Sequence, residues 1–312
     1  PFPAPVGPGR VALVAAGDLG RARLMALDPR GRILASGEGR GATTSVSICP
    51  GSRRLAELVQ GERGARIEIR ALRSMRVLRS VRTTIAAQGL RCQNEAGGSV
   101  AAWSYHYAAG RTFIRVLRLR GARITELAEV TGDAATLGRR SAYVAAPDRV
   151  LAVDLATGAI RQVATARSAR YLALSPDGRR LALLDSNGVL QLVEPAGGRT
   201  RSERIGLWGP IAWLGPRRLL ARLGGGEIRV YDGRLRRVAT HGPYRAEGFA
   251  RVGNRLFGVN GLSLVSLDLR DGARTTVAEL PDRDVNDLEP VPGRPLVARG
   301  TRTLERLCPG AA

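Results

Sequence analysis

Lysine does not occur in this 312-residue chain: all 49 of its basic residues are arginine, set against 27 acidic ones. Cysteine is scarce, at three, too few for a disulfide scaffold. Two histidines exclude most histidine-rich metal sites. No apolar run approaches the roughly 18 residues of a membrane span. Helix signals are missing too, since no capped stretch of about ten positions carries apolar residues at three-and-four spacing. What remains is 44% apolar with 39 Gly and 17 Pro, the composition of a chain that folds and is neither disordered nor collagen-like.

A formal charge of +22 ordinarily points to nucleic acid, anionic lipid or an acidic partner. Arginine without lysine reads instead as the codon bias of a GC-rich, bacterial-type genome, because nucleic-acid proteins normally use lysine as well. The arginines are spread over the whole length and form no tail. Nucleic acid is therefore not the expected partner.

One pattern recurs: a short strand ending near an acid, a tight turn with Gly, then a second strand. It runs through Arg23–Ala35, Val150–Val163, Val189–Gly198, Glu227–Val238 and Leu262–Arg274, with degenerate copies at Ile67–Val81 and Phe113–Val130. The turn-proximal acids Asp154, Glu194, Asp232 and Asp268 are 40, 38 and 36 residues apart. In the better copies two further short apolar strands precede the hairpin, as at Arg170–Leu174 with Arg180–Leu184 and at Ile211–Leu214 with Arg218–Leu223. Strands of about five residues bounded by Pro, Gly, Asn and Asp, four to a unit of roughly 36–45 residues, are the arithmetic of an all-β propeller.

Ser175-Pro176-Asp177-Gly178-Arg179-Arg180-Leu181-Ala182-Leu183 resembles the repeat motif of TolB-like and WD-repeat-like propellers, and does so in one of the seven units. The resemblance implies a fold; those families include binding modules, sensors and a few enzymes, so it assigns no function. The expected architecture is a single propeller over residues 10–312 with seven four-stranded blades, or eight with one incomplete. The first unit, near Val11–Ala16, Arg23–Leu27 and Arg32–Ser36, lacks an innermost strand that Val285–Val291 could supply, closing the ring and removing a free edge. Pro295–Arg299 and Thr303–Leu307 are left over as further strands. Residues 1–9, with Pro at 1, 3, 5 and 8, read as an extended linker.

A Pro-rich lead suits the segment after a signal peptide or anchor, so an extracellular or cell-envelope location is expected. Cys49 and Cys92 fall at equivalent turns of adjacent units and form a disulfide candidate, leaving Cys308 over. Within Trp103-Ser104-Tyr105-His106-Tyr107, alternation puts the three large aromatics on one face and Ser104 and His106 on the other. This reads as inter-blade core, with a ligand strip and an acid–base His106 as the alternative.

His241 lies in an inter-blade loop. Asp282, Asp284 and Asp287 have spacing akin to a calcium loop but lack its glycine and distal glutamate, so they make a weak metal candidate. Gly97–Gly98 and Gly224–Gly226 read as hairpin turns, because no helix follows to make a phosphate loop. Arginine at 70, 73, 76, 79 and 82 puts charge on both faces of a strand, an irregular or exposed edge. No GlyXSerXGly occurs, and no motif calls for a cofactor.

The expectation is thus a non-catalytic, exported interaction module recognising a protein or anionic ligand at one mouth of the ring, with Trp208, Trp213, Tyr244 and His241 as contacts. The rivals are a propeller lyase or hydrolase acting on an anionic saccharide, and a binder of anionic polymers.

Overall fold

The computed structural model describes residues 13–16, 22–27, 33–39, 42–50, 54–61, 64–71, 74–83, 87–94, 97–166, 169–206, 209, 211–244, 247–252, 254–260, 263–279, 285–290 and 296–300. Among them there is no helix, and every strand pairs antiparallel with its chain neighbours. β1 (Leu13–Ala16), β2 (Ala22–Leu27) and β3 (Ile33–Gly39) form a three-stranded sheet. β4 (Ala42–Ile48), β5 (Arg54–Gly61), β6 (Gly64–Ala71) and β7 (Val77–Thr83) form the next, of four. Then come β8 (Ala87–Cys92), β9 (Ser99–Ala108), β10 (Arg111–Arg120) and β11 (Arg123–Thr131), followed by β12 (Ala134–Leu137), β13 (Ser141–Ala145), β14 (Arg149–Asp154) and β15 (Ile160–Thr165).

β16 (Ala169–Leu174), β17 (Leu181–Asp185), β18 (Val189–Val193) and β19 (Thr200–Arg204) make another four-stranded sheet. So do β20 (Ile211–Gly215), β21 (Arg218–Arg222), β22 (Ile228–Asp232) and β23 (Arg237–His241), and β24 (Glu247–Val252), β25 (Arg255–Asn260), β26 (Ser263–Asp268) and β27 (Arg274–Glu279). β28 (Val285–Pro290) and β29 (Leu296–Gly300) pair as a two-stranded sheet. All seven hairpins read from the sequence are present, as β2–β3, β6–β7, β10–β11, β14–β15, β18–β19, β22–β23 and β26–β27. The strand expected to complete the first unit pairs with β29 instead, and no hydrogen-bonded register joins it to β1. Residues 303–307 lie outside the described residues.

The chain divides into two compact units, one holding Ala87–Arg91 and Ser99–Tyr244, the other Pro5–Ala86, Cys92–Gly98 and Arg245–Ala312. In the first, three apolar layers lie between four successive sheets. Ile114, Val116 and Val130 meet Leu137, Val144 and Val153. Val150 and Val163 meet Leu181 and Leu183. Ala182, Leu184 and Leu192 meet Trp213, Leu219 and Tyr231. Successive residues of β17 thus enter opposite layers, which is why its sequence is continuously apolar instead of alternating.

Three of the four periodic acids cap their own turns. Asp154 Oδ1 accepts from the N–H groups of Ala156 (2.9 Å) and Thr157 (2.8 Å) and from the Thr157 hydroxyl (2.9 Å). Asp232 Oδ1 accepts from Arg234 N (2.7 Å) and Arg236 N (2.9 Å). Asp268 takes Arg270 N at 2.9 Å and the Arg270 guanidinium on both oxygens, at 3.1 and 2.7 Å. Bonds to the ionised form hold all three below the ordinary aspartate value. For Asp154 the Thr157 amide leads; for Asp232 partial burial opposes the shift and is outweighed by the amides of Arg236 and Arg234. Asp268 is held at about 2, first by the Arg270 side chain and then by its amide. In the SPDG turn Ser175 does the equivalent work: its hydroxyl accepts from Arg180 N at 2.8 Å and donates to Asp177 at 2.6 Å, while Gly178 takes φ 72°.

In the second unit Arg70 is a buried cation, with 2% of its side chain exposed. Its Nε donates to Glu57 (2.6 Å), its second terminal nitrogen to Glu68 (2.6 Å), and its first to the Met75 carbonyl (2.9 Å). The evenly spaced arginines therefore do not share one exposed edge: Arg70 is interior, Arg79 is half-buried on the Gly97 carbonyl at 2.7 Å, and Arg76 and Arg82 are exposed. Arg73 lies outside the described residues.

Removing one partner of a buried network strands the rest. Arg70→Met should cost about 3–5 kcal/mol in urea unfolding, and the triple variant E57Q/E68Q/R70M should recover most of it. A triple variant weaker than R70M would show that the charges themselves are needed. The capping carboxylates are depressed in the folded state, so their stabilisation is complete above the unfolded value of 3.8 and lost as pH falls toward about 2. The urea midpoint should drop over that window in the native protein and change less in D154N/D232N/D268N.

Candidate functional site

β9 and β10 are ten residues each, twice the five of β13 or β17. Their turn, Ala109–Gly110, takes positive φ at both positions (50° and 74°), the geometry that matches strand twist in a two-residue hairpin. β11 stops pairing at Thr131, opposite Phe113, and Gly132 N–H bonds the Thr112 carbonyl (3.1 Å), so residues 108–111 project beyond it. The neighbouring β12 and β13 are only four and five residues long, and the hairpin tip overhangs the apolar layer between the two sheets.

Alternation along this overhang separates two surfaces. On one, Trp103, Ile114 and Val116 pack into the layer against sheet β12–β15. Trp103 sits over Gly89, where a Cβ would fall 2.1 Å from the indole Nε1, so only glycine fits there. Tyr105 and Tyr107, next in line on the same face, are not part of that layer and are 53% and 74% exposed, although Ile114, opposite Tyr105, lies within it. The Tyr105 ring lies 6.3 Å from Trp103, which braces it.

On the opposite surface His106 stacks on Phe113 at 5.3 Å. Arg115 Nε donates to Glu129 at 2.6 Å and lies 3.7 Å from Glu126, and His106 Nε2 lies 3.9 Å from Glu129. The Glu129 bond raises the Arg115 pKa, so this arginine stays a fixed cation. That surface is internally paired. The tyrosine face instead offers two large rings with hydroxyls, flanked by the small Ala108, Ala109 and Gly110, on a braced strand pair. Such a ridge can make apolar contact and hydrogen bonds to a partner at little conformational cost.

The residues expected to contact a ligand are placed elsewhere. Trp213 is 9% exposed, fills the layer between sheets β16–β19 and β20–β23, and donates its Nε1–H to the Ala173 carbonyl at 2.9 Å. Tyr244 is buried just after β23, its amide bonded to the Gly226 carbonyl at 2.7 Å. His241, the last residue of β23, is also buried. Trp208, Asp282, Asp284 and Cys308 lie outside the described residues, and Asp287 is placed only as a residue of β28, opposite Arg299. Among the described residues no three metal-ligating side chains converge. Cys49 and Cys92 are joined as a disulfide, with Cα atoms 4.8 Å apart. Gly224–Gly226 form the β21–β22 turn.

Successive four-stranded antiparallel sheets, packed face to face along the chain, are the build of a β-propeller. The chain is similar in structure to BamB from Moraxella catarrhalis (15% identity, TM-score 0.61, covering 95% of this chain and 91% of that one). It is also similar to Sqt1 from Saccharomyces cerevisiae (13% identity, TM-score 0.63, covering 92% and 87%). Both are β-propeller, WD40-like proteins, and at these identities the likeness shows the fold alone. No family model matches the chain, and no curated protein does.

The exposure of Tyr105 and Tyr107 was not legible from alternation, which correctly put them on one face with Trp103. The available signal was length: alternation continues from Ser99 to Ala108, twice the usual strand. Tyr105→Ala and Tyr107→Ala should each leave stability within about 0.5 kcal/mol of native, whereas Trp213→Ala should cost about 3–5 kcal/mol. A large loss at Tyr107 in urea unfolding would mean that it is a packing residue.

Proposed function

We propose that this chain is a non-catalytic interaction module, exported to the cell envelope or the outside, that recognises a protein partner. The observation that carries the reading is the tyrosine ridge: two exposed phenol rings held on rigid strands beyond the edge of a packed core. Exposed aromatics of this kind are the side chains that dominate protein recognition. The Cys49–Cys92 disulfide supports the exported location, since such bonds persist in oxidising compartments. The reading takes residues 10–312 as one propeller, its seventh blade assembled from both ends of the chain; β29 running beside β1 supports this. The Ser175–Leu183 turn supports a repeat of TolB-like kind.

The test is site-specific photocrosslinking in the native host. A benzoylphenylalanine in place of Tyr107 should give a discrete protein adduct, and one in place of Ile160 or Val238, exposed apolar positions on other sheets, should not. Y105A/Y107A should retain the native melting temperature while losing that partner. No adduct at Tyr107, or the same adduct at all three positions, would remove the basis for the reading. Alkylation of the unreduced protein from cells should leave Cys49 and Cys92 unmodified; labelling of both would sink the exported location.

A further inference from the structure

In the unit formed by Ala87–Arg91 and Ser99–Tyr244, the first strands β12, β16 and β20 run side by side and end at the same edge as β8. Arg91, at the end of β8, donates to the carbonyl of Leu137, at the end of β12 (3.0 Å). Arg180, after the β16–β17 turn, likewise donates to Pro216 of the β20–β21 turn (2.6 Å). That edge carries Arg91, Arg139, Arg140, Arg179, Arg180 and Arg217, and none of the six has a carboxylate partner among the described residues. The acid within these turns, Asp177, is taken up by the Ser175 hydroxyl and the Arg179 amide. Of the acids two strands further along these sheets, Asp154 and Asp232 are bound to the amides of their own turns, and Glu194, half-buried just after β18, is the remaining carboxylate of that row.

The opposite edge differs. There Arg149 pairs with Asp148 (2.7 Å) and Arg229 with Glu227 (2.5 Å), while Arg111 stands exposed with no carboxylate partner among the described residues. The two ends of the stack thus differ in how far their cations are paired. Burial, and then the like charge of Arg139, lower the Arg91 pKa, as expected where cations gather without an anion.

We infer that this arginine edge is a docking surface for an acidic polypeptide segment. The bonds to Leu137 and Pro216 spend one nitrogen of each guanidinium on the scaffold, which fixes the remaining donors in place before a partner arrives. Planar paired donors match carboxylates. The turns themselves, Gly138–Arg140, Ser175–Arg180 and Gly215–Arg217, contain no aromatic residue on which a base could stack, which favours a polycarboxylate over a single-stranded nucleic acid. The surface lies at the opposite end of the strands from the β9–β10 turn. It adds a second contact to the interaction-module reading and stands or falls separately from the tyrosine ridge.

The test titrates the full chain into a fluorescein-labelled decaglutamate peptide and reads anisotropy. Native protein should bind, with affinity falling as salt is raised. R139E/R179E/R217E should weaken binding about tenfold or more, while R111E/R149E/R204E, with the same change of charge at the other end or on an outer strand, should stay within about threefold. Y105A/Y107A should bind as native, so loss of the ridge partner and loss of the peptide are told apart. If the reversal variant does not fold, R139Q/R179Q/R217Q, which only removes charge, should still weaken binding severalfold. Decathymidylate should bind more weakly than decaglutamate. Failure of the native protein to bind, equal losses in the two reversed variants, or decathymidylate binding as tightly would each overturn the assignment.

Discussion

A strand that is apolar on both faces needs a neighbouring sheet on each side, and the first unit is built around meeting that need. β17 is buried from Leu181 through Asp185; Leu181 and Leu183 enter one layer and Ala182 and Leu184 the next. Neither layer exists without the adjoining sheet, so each repeat is stable only because its neighbours are. The layers rest chiefly on aliphatic side chains with Ala as filler, and Trp213 and Tyr231 supply bulk where β20–β23 meets β16–β19. The short strands and the glycine turns bring the next sheet back at the right spacing, and in β14 and β22 an aspartate at the strand's end caps the turn.

Arginine completes what the layers begin. Arg91 reaches Leu137, Arg118 reaches Leu155 (3.0 Å) and Ala156, Arg161 reaches Pro195 (3.3 Å), and Arg180 reaches Pro216. Each bond joins one sheet of the first unit to a main-chain carbonyl at a turn of the next. Turn carbonyls have no ladder partner, and a guanidinium with five donors on a long stem can satisfy them while keeping its charge in water. The fold puts many of the arginines to use at sheet edges.

The same geometry explains how function can sit on such a scaffold. The β9–β10 hairpin is longer than its neighbours, and Tyr105 and Tyr107 are surface on it while Trp103, two residues earlier on the same face, packs against the core. Nothing in the chemistry of the three side chains separates them; their place along the hairpin does. Likewise Arg70 and Arg82 belong to the same evenly spaced run, yet one is interior, held by Glu57 on the neighbouring strand and by Glu68 two residues along its own, and the other is exposed on an outer strand.

The amino-acid sequence by itself determined the repeat, the strand type, the seven hairpins and their turns, because those depend on alternation, turn residues and spacing, which are local. It also determined the periodic acids, although their role as turn caps emerged from the bonds they accept. Only the tertiary structure decided which aromatic residues are surface, which arginines are interior or paired, and that Trp213, Tyr244 and His241 are buried. These are outcomes of which sheet lies beside which and where each one ends, and no window of a few residues carries that information.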